Sequence, residues 1–280
     1  MEFFGNGGKE FLRIGNFSIA MYAVCIMIGM AIGAVVALRE GKKLGIDKDK
    51  FLDGVLMCVP LAIIGARLFY VIFEWDKIGF ENIFRITDGG LAITGGIIVA
   101  VLFVIIYSYK REMNALKIFD IVVTGLLIGQ IFGRWGNFFN QEAHGGATTY
   151  ELLSKFLPDF IVNKMYINGV YYHPTFLYES LWNFLGLLLI FVLRRNFRKI
   201  QIGDFLGFYL IWYGFGRSVL IEPYRTDALM MGDIRINVLI PAFMVIGGIA
   251  YLVIKHKKYP QELYVTAIAQ TEQENMSIAE

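Results

Sequence analysis

Charged residues that could bind a phosphate stand beside long apolar segments of this chain. Arg134 is followed by Glu142 in the stretch GRWGNFFNQEAHGG, and Arg217, Glu222 and Arg225 share the stretch GFGRSVLIEPYRTD. A guanidinium presents a planar fork of donors that matches two oxygens of a phosphate, whereas a lysine offers only a point charge. Three arginines at comparable positions, with few carboxylates to neutralise them, predict a site for a phosphate-bearing substrate.

Amides, a hydroxyl and glycines accompany these arginines. Asn137 and Asn140 lie in the first stretch, and Thr94 precedes Gly95 and Gly96 in the stretch DGGLAITGG. Amide groups can hydrogen-bond to a polar headgroup, and glycines let a backbone and a ligand approach closely. We expect these residues to contribute to the same substrate-binding site.

Two further polar sets have two open interpretations each. Thr175, Glu179 and Asn183 follow one another at i, i+4 and i+8, and Arg67 and Glu74 also share a helical face. Glu179 and Asn183 either belong to the site or join neighbouring helices by hydrogen bonds. Arg67 and Glu74 either belong to the site or form a structural ion pair.

Long apolar segments must position all these residues. The 280-residue chain is 56% hydrophobic and 18% charged, with a mean hydropathy of +0.56, which is too apolar for a single soluble core. A helix needs about 20 mostly apolar residues to cross the hydrocarbon layer. The sequence therefore predicts an all-α, polytopic integral membrane protein with seven transmembrane helices, at Phe17–Leu38, Gly54–Trp75, Gly90–Ser108, Ile118–Gly133, Thr175–Leu193, Gly203–Ile221 and Ile236–Ile254.

Two of the predicted spans, the fourth and the first, have features that predict more than membrane insertion. The fourth is the shortest and contains Asp120 near its inner end, where we expect the carboxylate to be solvated or to cap a helix. The first is longer than the apolar core of a signal peptide and is expected to be retained. Its Gly29 and Gly33 form a GxxxG pair, which is typical of a helix-packing face.

The basic residues of the loops predict the orientation. Fifteen lysines and arginines lie in short linkers and at the start of the tail on one side, whereas ten lie in longer segments on the other. Because loops rich in lysine and arginine stay in the cytoplasm, we predict an outside N-terminus and a cytoplasmic C-terminus. The polar stretches then lie at the outer ends of their helices, which predicts one shared cavity at the outer leaflet.

The predicted organisation is one transmembrane catalytic domain over residues 1–258, with an outer loop at 134–174, followed by a mobile cytoplasmic tail at 259–280. Cys25 and Cys58 fall within spans, where we expect small buried hydrophobic residues. The three histidines lack metal-ligand spacing, so we expect no metal and no other cofactor. The net charge of +2 gives no indication of a nucleic-acid partner.

The thirteen residues from Gly133 to Gly145 resemble the signature G-R-x-G-N-F-x-N-x-E-x-x-G of the prolipoprotein diacylglyceryl transferase family. Similar blocks follow the family's order from about Tyr22 to Asp227: GARLFYV, DGGLAITGG, HPTFLYE and YGFGRSVLIEPYRTD. The resemblance implies a multi-pass enzyme of the bacterial inner (cytoplasmic) membrane. Such an enzyme transfers the diacylglyceryl group of phosphatidylglycerol to the thiol of the lipobox cysteine of a prolipoprotein. A thioether and glycerol phosphate are the products, and phosphatidylglycerol, lipobox segments and membrane lipids are the expected partners.

The resemblance also implies which residues form the site. The matching positions that we expect to be catalytic are Tyr22, Arg134, Asn137, Glu142, Arg217 and Glu222. The expected contacts to phosphatidylglycerol are Arg134, Asn137, Asn140, Gly145, Arg217, Arg225, Thr94, Gly95 and Gly96. Arg134 and Arg217 would hold the phosphate, and Arg225 would act as an outer gate or steering charge.

Thr94 departs from the family pattern, because many relatives have a histidine and others a tyrosine at this position. A threonine hydroxyl is no base at neutral pH. Either the role of that histidine is not general in the family, or the proton acceptor in this chain is Glu142, Glu222 or a tyrosine.

Two functions of other classes remain as alternatives. A transporter for an anion would place its polar groups near the bilayer midplane and would show inverted repeats, neither of which is visible here. The other alternative is an assembly protein that only binds lipid. A diacylglyceryl-transfer assay distinguishes all three.

Overall fold

The computed structural model describes residues 2–15, 17–75, 90–225, 230–231 and 234–279, so that Asp88 and Asp227 lie outside the described residues. Its main helices are α1 Met21–Lys43, α2 Lys48–Phe73, α3 Ile93–Lys110, α4 Ala115–Asn140, α5 Thr175–Asn196, α6 Asp204–Phe215, α7 Ile236–Lys258 and α8 Tyr264–Ala279. Six of these, all but α6 and α8, are long and apolar enough to cross a membrane. The expectation of a polytopic, mainly helical membrane protein is confirmed at this level.

Short strands lie outside the long helices. β1 Glu2–Phe3, β2 Glu10–Ile14 and β3 Phe17–Ala20 form an antiparallel sheet around a short helix, Gly5–Gly8. Residues 17–20 are therefore strand rather than the start of the first span, and α1 begins at Met21. In the loop after α4, β4 Ala147–Thr148, β6 Val170–Tyr172 and β5 Tyr166–Ile167 form a second sheet. β7 Met230–Met231 and β8 Ile234–Arg235 pair ahead of α7.

Capping residues begin two of the helices at one end of the bundle. Asp47 accepts hydrogen bonds from the backbone N–H groups of Asp49 and Lys50, at 2.8 and 3.0 Å, and the bond from Lys50 is the largest cause of the lowered pKa of Asp47. Asn114 caps α4 in the same way. Basic residues fill the last turns of α1, α3, α5 and α7, where cations stabilise the helix dipole. The short basic linkers therefore all lie at this end.

Glycines bring α1 and α4 into close contact. A Cβ on Gly29 would lie 3.0 Å from the Cβ of Phe132 and 3.5 Å from the Cα of Gly129, and Gly33 lies against the backbone of Gly125. The GxxxG pair is thus a packing face between α1 and α4, as predicted. Away from these contacts the helices expose large apolar side chains, for example Leu56 at 71%, which suits a lipid environment.

The fourth span is longer than expected. α4 runs for 26 residues, because the polar signature residues after Gly133 continue the helix to Asn140. Hydropathy ended the span too early, since a helix that leaves the apolar layer can keep its backbone hydrogen bonds among polar side chains. Gln141, at φ 58°, ends the helix in the left-handed conformation.

The sixth predicted span changes helix type along its length. α6 covers 12 residues and continues into a π-helix at Gly216–Ile221 and a 3₁₀ turn at Glu222–Tyr224. Two stacked indoles, Trp182 and Trp212, lie beside this change with ring centroids 4.0 Å apart. A Cβ on Gly216 would lie 2.0 Å from the Trp182 ring, so only glycine allows this approach. Short π-helical segments are frequent at functional sites.

Arg194 joins three helices at the end of the bundle that carries the basic linkers. Its guanidinium contacts the Glu40 carboxylate at 3.2 Å, the Asp120 carbonyl at 2.8 Å and the Thr124 hydroxyl at 2.9 Å. Asp120 is fully buried and accepts hydrogen bonds from the N–H groups of Gly203 and Leu206, at 2.6 and 3.1 Å. The carboxylate therefore caps the start of α6, and solvation, the other expectation for Asp120, is wrong.

The C-terminal segment is a packed helix rather than a mobile tail. Tyr264, at the start of α8, is 1% exposed, and its N–H donates to the carbonyl of Ile200 at 2.8 Å. Its ring meets that of Phe205 edge to face, and Arg194 lies 5.4 Å from its centroid. Burial raises the pKa of the Tyr264 hydroxyl, so the ring remains neutral. The polar composition of the tail concealed three buried positions, Tyr264, Ala267 and Thr271.

Candidate active site

One buried carboxylate, that of Glu179, collects all three arginines predicted to bind phosphate. Arg134 Nε lies 2.7 Å from its Oε2, and Arg217 Nη1 lies 2.8 Å from its Oε1. Arg225 Nη1 lies 3.8 Å from the same Oε1. The Glu179 side chain is 5% exposed, so these ion pairs are largely shielded from water. The three guanidiniums of α4, the π-helix and the segment after it therefore form one cluster, which we call the arginine cluster.

The signature on α4 extends this cluster by a chain of hydrogen bonds. Arg134 Nη1 donates to the amide oxygen of Asn137 at 3.3 Å. The amide nitrogens of Asn137 and Asn140 donate to the same oxygen of Glu142, at 3.0 and 3.2 Å. Arg134 and Asn137 share a face because they are three residues apart on a helix. The left-handed turn at Gln141 brings Glu142 back towards both amides.

Arg217 and Glu222 lie where the sixth span changes helix type. Arg217 Nη2 lies 3.4 Å from Glu222 Oε2, and the Glu222 side chain is fully buried. Three arginines thus meet two buried carboxylates, and the exposed carboxylate of Glu142 is joined to them through Asn137. The expectation of few neutralising carboxylates therefore needs correction, because Glu179 contacts all three cations.

Arg225 lies inside the cluster rather than at its rim. Its side chain is 9% exposed, and its backbone forms an antiparallel bridge with Gly145. The N–H of Gly146 donates to the carbonyl of Tyr224 at 2.7 Å. A Cβ on Gly145 would lie 2.7 Å from the Cβ of His173 and 2.9 Å from the Tyr224 carbonyl, so a side chain there would separate the two segments. The glycine that ends the signature thus fixes the position of Arg225.

Tyr22 reaches the same end of α4 from the first turn of α1. A Cβ on Gly136 would lie 2.5 Å from Tyr22 Cδ2 and 3.0 Å from its Cε2. Gly136 lies between Arg134 and Asn137, so the tyrosine ring packs onto the helix turn that carries both. The structure therefore brings together eight of the predicted residues: Tyr22, Arg134, Asn137, Asn140, Glu142, Gly145, Arg217 and Glu222, with Arg225 as a ninth.

Gly95 and Gly96 allow close helix packing and do not contact the arginine cluster within the described residues. A Cβ on Gly95 would lie 2.3 Å from the Cβ of Phe69 and 2.5 Å from the Gly65 carbonyl, and one on Gly96 would lie 3.2 Å from the Ala62 carbonyl. The space beside both glycines is filled by α2, so they serve helix packing. Thr94, one residue earlier, is exposed at the start of α3.

Arg67 contacts the segment that leads into α3. Its Nη1 donates to the carbonyl of Gly90 at 2.9 Å, and its guanidinium lies 5.8 Å from the centre of the Tyr70 ring. Gly90 has φ +75°, and a Cβ there would lie 2.6 Å from Arg67 Nη1. Arg67 is 7% exposed and anchors the chain just before α3.

Residues outside the predicted set also contact the cluster. Glu179 is the centre of the cluster, although its helical spacing with Thr175 and Asn183 left its role open. Around it, His173 Nδ1 lies 3.2 Å from the Tyr178 hydroxyl, and the His173 and Tyr224 ring centroids are 5.5 Å apart. His173, Tyr178 and Tyr224 lie in the blocks HPTFLYE and YGFGRSVLIEPYRTD, whose resemblance to the family was the signal available in the sequence.

The arrangement has the features of an anion site. Its guanidiniums are held in fixed directions by carboxylates and amides, so they need little reorganisation when a negative charge arrives. Three guanidiniums in one cluster favour a phosphate ester over a neutral ligand, because each presents N–H donors in a planar fork. Each guanidinium has five N–H groups, so a phosphate can bind donors that Glu179 does not use while these ion pairs stay in place.

Comparisons with known proteins support this chemistry. The family described as prolipoprotein diacylglyceryl transferase matches residues 9–254. The chain is 47% identical to the phosphatidylglycerol--prolipoprotein diacylglyceryl transferase of Bacillus mycoides (strain KBAB4) over 250 residues, which cover 88% of this chain and 91% of the relative. The proteins of the same name from Bacillus cereus (strain G9842) and Bacillus anthracis (strain A0248) are each 46% identical over the same shares.

Proposed function

The chain belongs to the prolipoprotein diacylglyceryl transferase family, and from this membership we propose that it transfers the diacylglyceryl group of phosphatidylglycerol to a cysteine thiol of a prolipoprotein. It is a transferase, as its close relatives are. The observation that carries the proposal for the site is the convergence of Arg134, Arg217 and Arg225 on Glu179. The acceptor cysteine is that of a lipobox segment.

The reaction exchanges a carbon–oxygen bond for a carbon–sulfur bond. The thiol gives up its proton, and the sulfur attacks the glyceryl carbon that carries the phosphate. The bond from that carbon to the phosphate oxygen breaks, and its electron pair leaves with glycerol phosphate. Negative charge therefore grows on the phosphate in the transition state, where oriented guanidiniums are most effective. Arg134 and Arg217 stabilise this charge, and Arg225, because it is buried beside them, binds phosphate rather than acting as a gate.

The amide groups and Tyr22 orient the lipid headgroup. Asn137 and Asn140 present their amides at the edge of the arginine cluster, where they can exchange the Glu142 oxygen for a glycerol hydroxyl. Tyr22 packs against Gly136 and closes the cluster on the α1 side. Gly145 keeps the segment that carries Arg225 in place.

Glu142 is the proton acceptor that the contacts favour. Its Oε1 accepts both amide hydrogen bonds, and within the described residues no contact engages Oε2. Glu222 is fully buried beside Arg217, which makes it a positioning group for that arginine. An exposed carboxylate close to the cations is accessible to a thiol that approaches from outside the cluster.

The membrane arrangement that fits this function has seven spans. The sixth consists of α6, the π-helix and the 3₁₀ turn, which together form a continuous helical path from Asp204 to Tyr224. The N-terminus is outside and the C-terminus is in the cytoplasm, as the basic linkers favour. The arginine cluster then faces the outer leaflet of the bacterial inner membrane, where the headgroup of phosphatidylglycerol and an exported precursor can meet.

A transfer assay with purified protein tests the proposal. The substrates are phosphatidylglycerol labelled in its acyl chains and a lipobox peptide, and the product is a labelled peptide linked through a thioether. A peptide with serine in place of the lipobox cysteine should remain unlabelled, because the hydroxyl is a weaker nucleophile than a thiolate. Lipid binding without labelled peptide would instead support the lipid-binding alternative, and vesicle uptake of a soluble anion would support a transporter.

A further inference from the structure

An open cavity lies at the opposite end of the bundle from the arginine cluster. It has a volume of about 510 Å³ and lies between the last turns of α1, the end of α5 and the C-terminal helix α8. Its position follows from α8, because Thr271 and Asn275 form one of its walls. Along α1, Arg39 is 17 residues from Tyr22, which corresponds to about 25 Å at 1.5 Å per residue. The cavity is therefore separate from the proposed active site.

The cations of this cavity exceed its carboxylates. Arg39 and Lys42 are exposed, and neither has an ion pair within the described part of the chain. Glu40 already contacts Lys43 at 2.7 Å and Arg194 at 3.2 Å, so its charge is balanced. Glu272 adds one exposed carboxylate on the α8 wall. Two open cations thus face one open carboxylate, which favours an anion.

The remaining wall is apolar and continues towards the lipid. Val36 and Phe191 line the cavity one turn closer to the centre of the membrane than the basic residues of their helices. Their neighbours Val35 and Val192 are 47% and 49% exposed on the outer surface of the bundle. A cationic rim above an apolar wall matches a phospholipid, whose phosphate and first acyl carbons need these two surroundings.

We propose that this cavity binds the headgroup of an anionic phospholipid from the leaflet at this end of the bundle. Arg39 and Lys42 hold the phosphate, the Asn275 amide donates to it, and the acyl chain follows Val36 and Phe191. The bound lipid contacts α1, α5 and α8 together, so it stabilises the docked C-terminal helix by binding only the folded chain. This lipid is not consumed, because the cavity lies far from the arginine cluster.

Fluorescence quenching tests the proposal at the cavity itself. The Phe191→Trp variant of the full chain is placed in phosphatidylcholine vesicles that contain increasing fractions of phosphatidylglycerol brominated in its acyl chains. The quenching of wild-type protein, which has four native tryptophans, is subtracted, so that lipid at the active site does not contribute. We expect half-maximal quenching at a mole fraction about fivefold lower than with brominated phosphatidylcholine, since a nearby cation attracts anionic lipid by roughly this factor.

Matched charge variants separate a built site from general attraction. In the Phe191→Trp background, the pair Arg39→Gln and Lys42→Gln should remove the preference for phosphatidylglycerol, and Arg39→Gln alone should reduce it. The control pair Arg195→Gln and Arg198→Gln removes the same charge from exposed positions at the same end, outside the cavity wall. It should leave the preference unchanged. Retained transferase activity verifies that each variant is folded.

Three results would overturn the proposal. Equal quenching by the two brominated lipids would show no anion selectivity in the cavity. An equal loss of preference in both charge pairs would assign the effect to the surface potential of this end. Reversal of the preference by millimolar inorganic phosphate would identify a site for free phosphate rather than for a lipid headgroup.

Discussion

Glu179 places competing demands on the three arginines of the cluster. Its carboxylate holds Arg134, Arg217 and Arg225 in fixed positions before a substrate arrives. Other N–H groups of the same guanidiniums must then bind a phosphate. A guanidinium can do both at once, because its five N–H groups point in several directions, whereas an ammonium cannot keep two partners in one plane.

This geometry predicts that lysine cannot replace Arg134 or Arg217. We expect Arg134→Lys and Arg217→Lys each to lower turnover by about 10²-fold or more, a size typical of losing one oriented donor in the transition state. The measurement is the turnover number in the transfer assay at saturating phosphatidylglycerol. Arg13→Lys is the matched control, since that side chain is 53% exposed on β2, and it should keep full activity.

Near-normal turnover of both lysine variants would contradict a catalytic role. Weaker lipid binding that excess phosphatidylglycerol rescues would leave the arginines with recruitment only. The separation of KM from kcat distinguishes these results, because an interaction made only in the transition state changes kcat.

Thr94 makes a second prediction at the residue scale. It is exposed at the start of α3, and a threonine hydroxyl cannot act as a base. Thr94→Ala should therefore retain at least about a third of wild-type turnover in the same assay. Complete loss in a folded, membrane-inserted variant would show that the hydroxyl is required and would contradict this assignment of Thr94.

The residues of the site were predicted unequally from the sequence. Arg134, Asn137 and Glu142 could be grouped because they occupy one helix end at known spacing, and their hydrogen bonds agree with that grouping. Glu179 remained ambiguous, because the choice of ion-pair partner across helices depends on how the helices are rotated. Gly95 was expected to contact the substrate, but a glycine that allows close approach does not identify its neighbour, which in the structure is α2.

At the scale of elements, the close contact between α1 and α4 positions the site. Tyr22 fits against Gly136, whereas a Cβ on Gly125, eleven residues earlier on α4, would meet nothing within 4 Å. We expect Gly136→Ala to displace the Tyr22 ring and lower turnover by about tenfold, because small misplacements near reacting groups are costly. Gly125→Ala should stay within about twofold of wild type, since it adds a methyl group without a clash.

Measurements of turnover and of thermal unfolding together distinguish the effects of Gly136→Ala and Gly125→Ala. Similar thermal unfolding of both variants, with lower turnover only in Gly136→Ala, would assign the effect to Tyr22 and its neighbours. Equal turnover of the two variants would show that the Tyr22 ring position does not matter for the reaction.

The C-terminal helix makes a prediction about stability. Tyr264→Ala removes a ring that is 1% exposed and packs against Phe205. Such losses cost about 3 kcal/mol, so we expect the midpoint of thermal unfolding in detergent to fall by about 6 °C or more. Tyr259→Ala is the control, because Tyr259 is 64% exposed. Equal midpoints would mean that α8 is not docked in the membrane-extracted protein.

The positions of helices could be predicted where the length of an apolar segment alone is sufficient to identify them. The segments that became α1, α2, α3, α5 and α7 were located within a few residues. The C-terminal helix was missed, because three buried positions in a polar stretch do not produce an apolar segment. The apolar part of the fourth span was placed up to Gly133, with Phe138 and Phe139 able to extend it, because hydropathy measures burial in lipid, whereas a helix continues as long as its backbone hydrogen bonds and caps allow.

At the scale of the whole molecule, the two ends of the bundle have opposite polar structures. One end carries the arginine cluster and the loop between α4 and α5. The other carries the short basic linkers, the Arg194 contacts and α8. Asp120 caps the start of α6 at the second end, and the same helical segment continues to Arg217 at the first end. The hydrogen bonds of Asp120 thus help to fix the rotation of α6 about its axis, and this rotation determines the direction of the Arg217 side chain.

The direction in which these ends face is the last prediction. Lysine and arginine in short linkers are retained in the cytoplasm, so the end with Lys199 should be inside and the end with Asn168 outside. Both side chains are exposed, and Asn168 lies in the turn between β5 and β6. In intact cells, a membrane-impermeant maleimide should label Asn168→Cys and should label Lys199→Cys only after the membrane is opened. Wild-type protein, whose Cys25 and Cys58 lie within helices, measures the background. Both positions labelling from the same side would exclude an odd number of spans between them and would remove α5 from the list of spans, because α5 is the long apolar helix that separates Asn168 from Lys199.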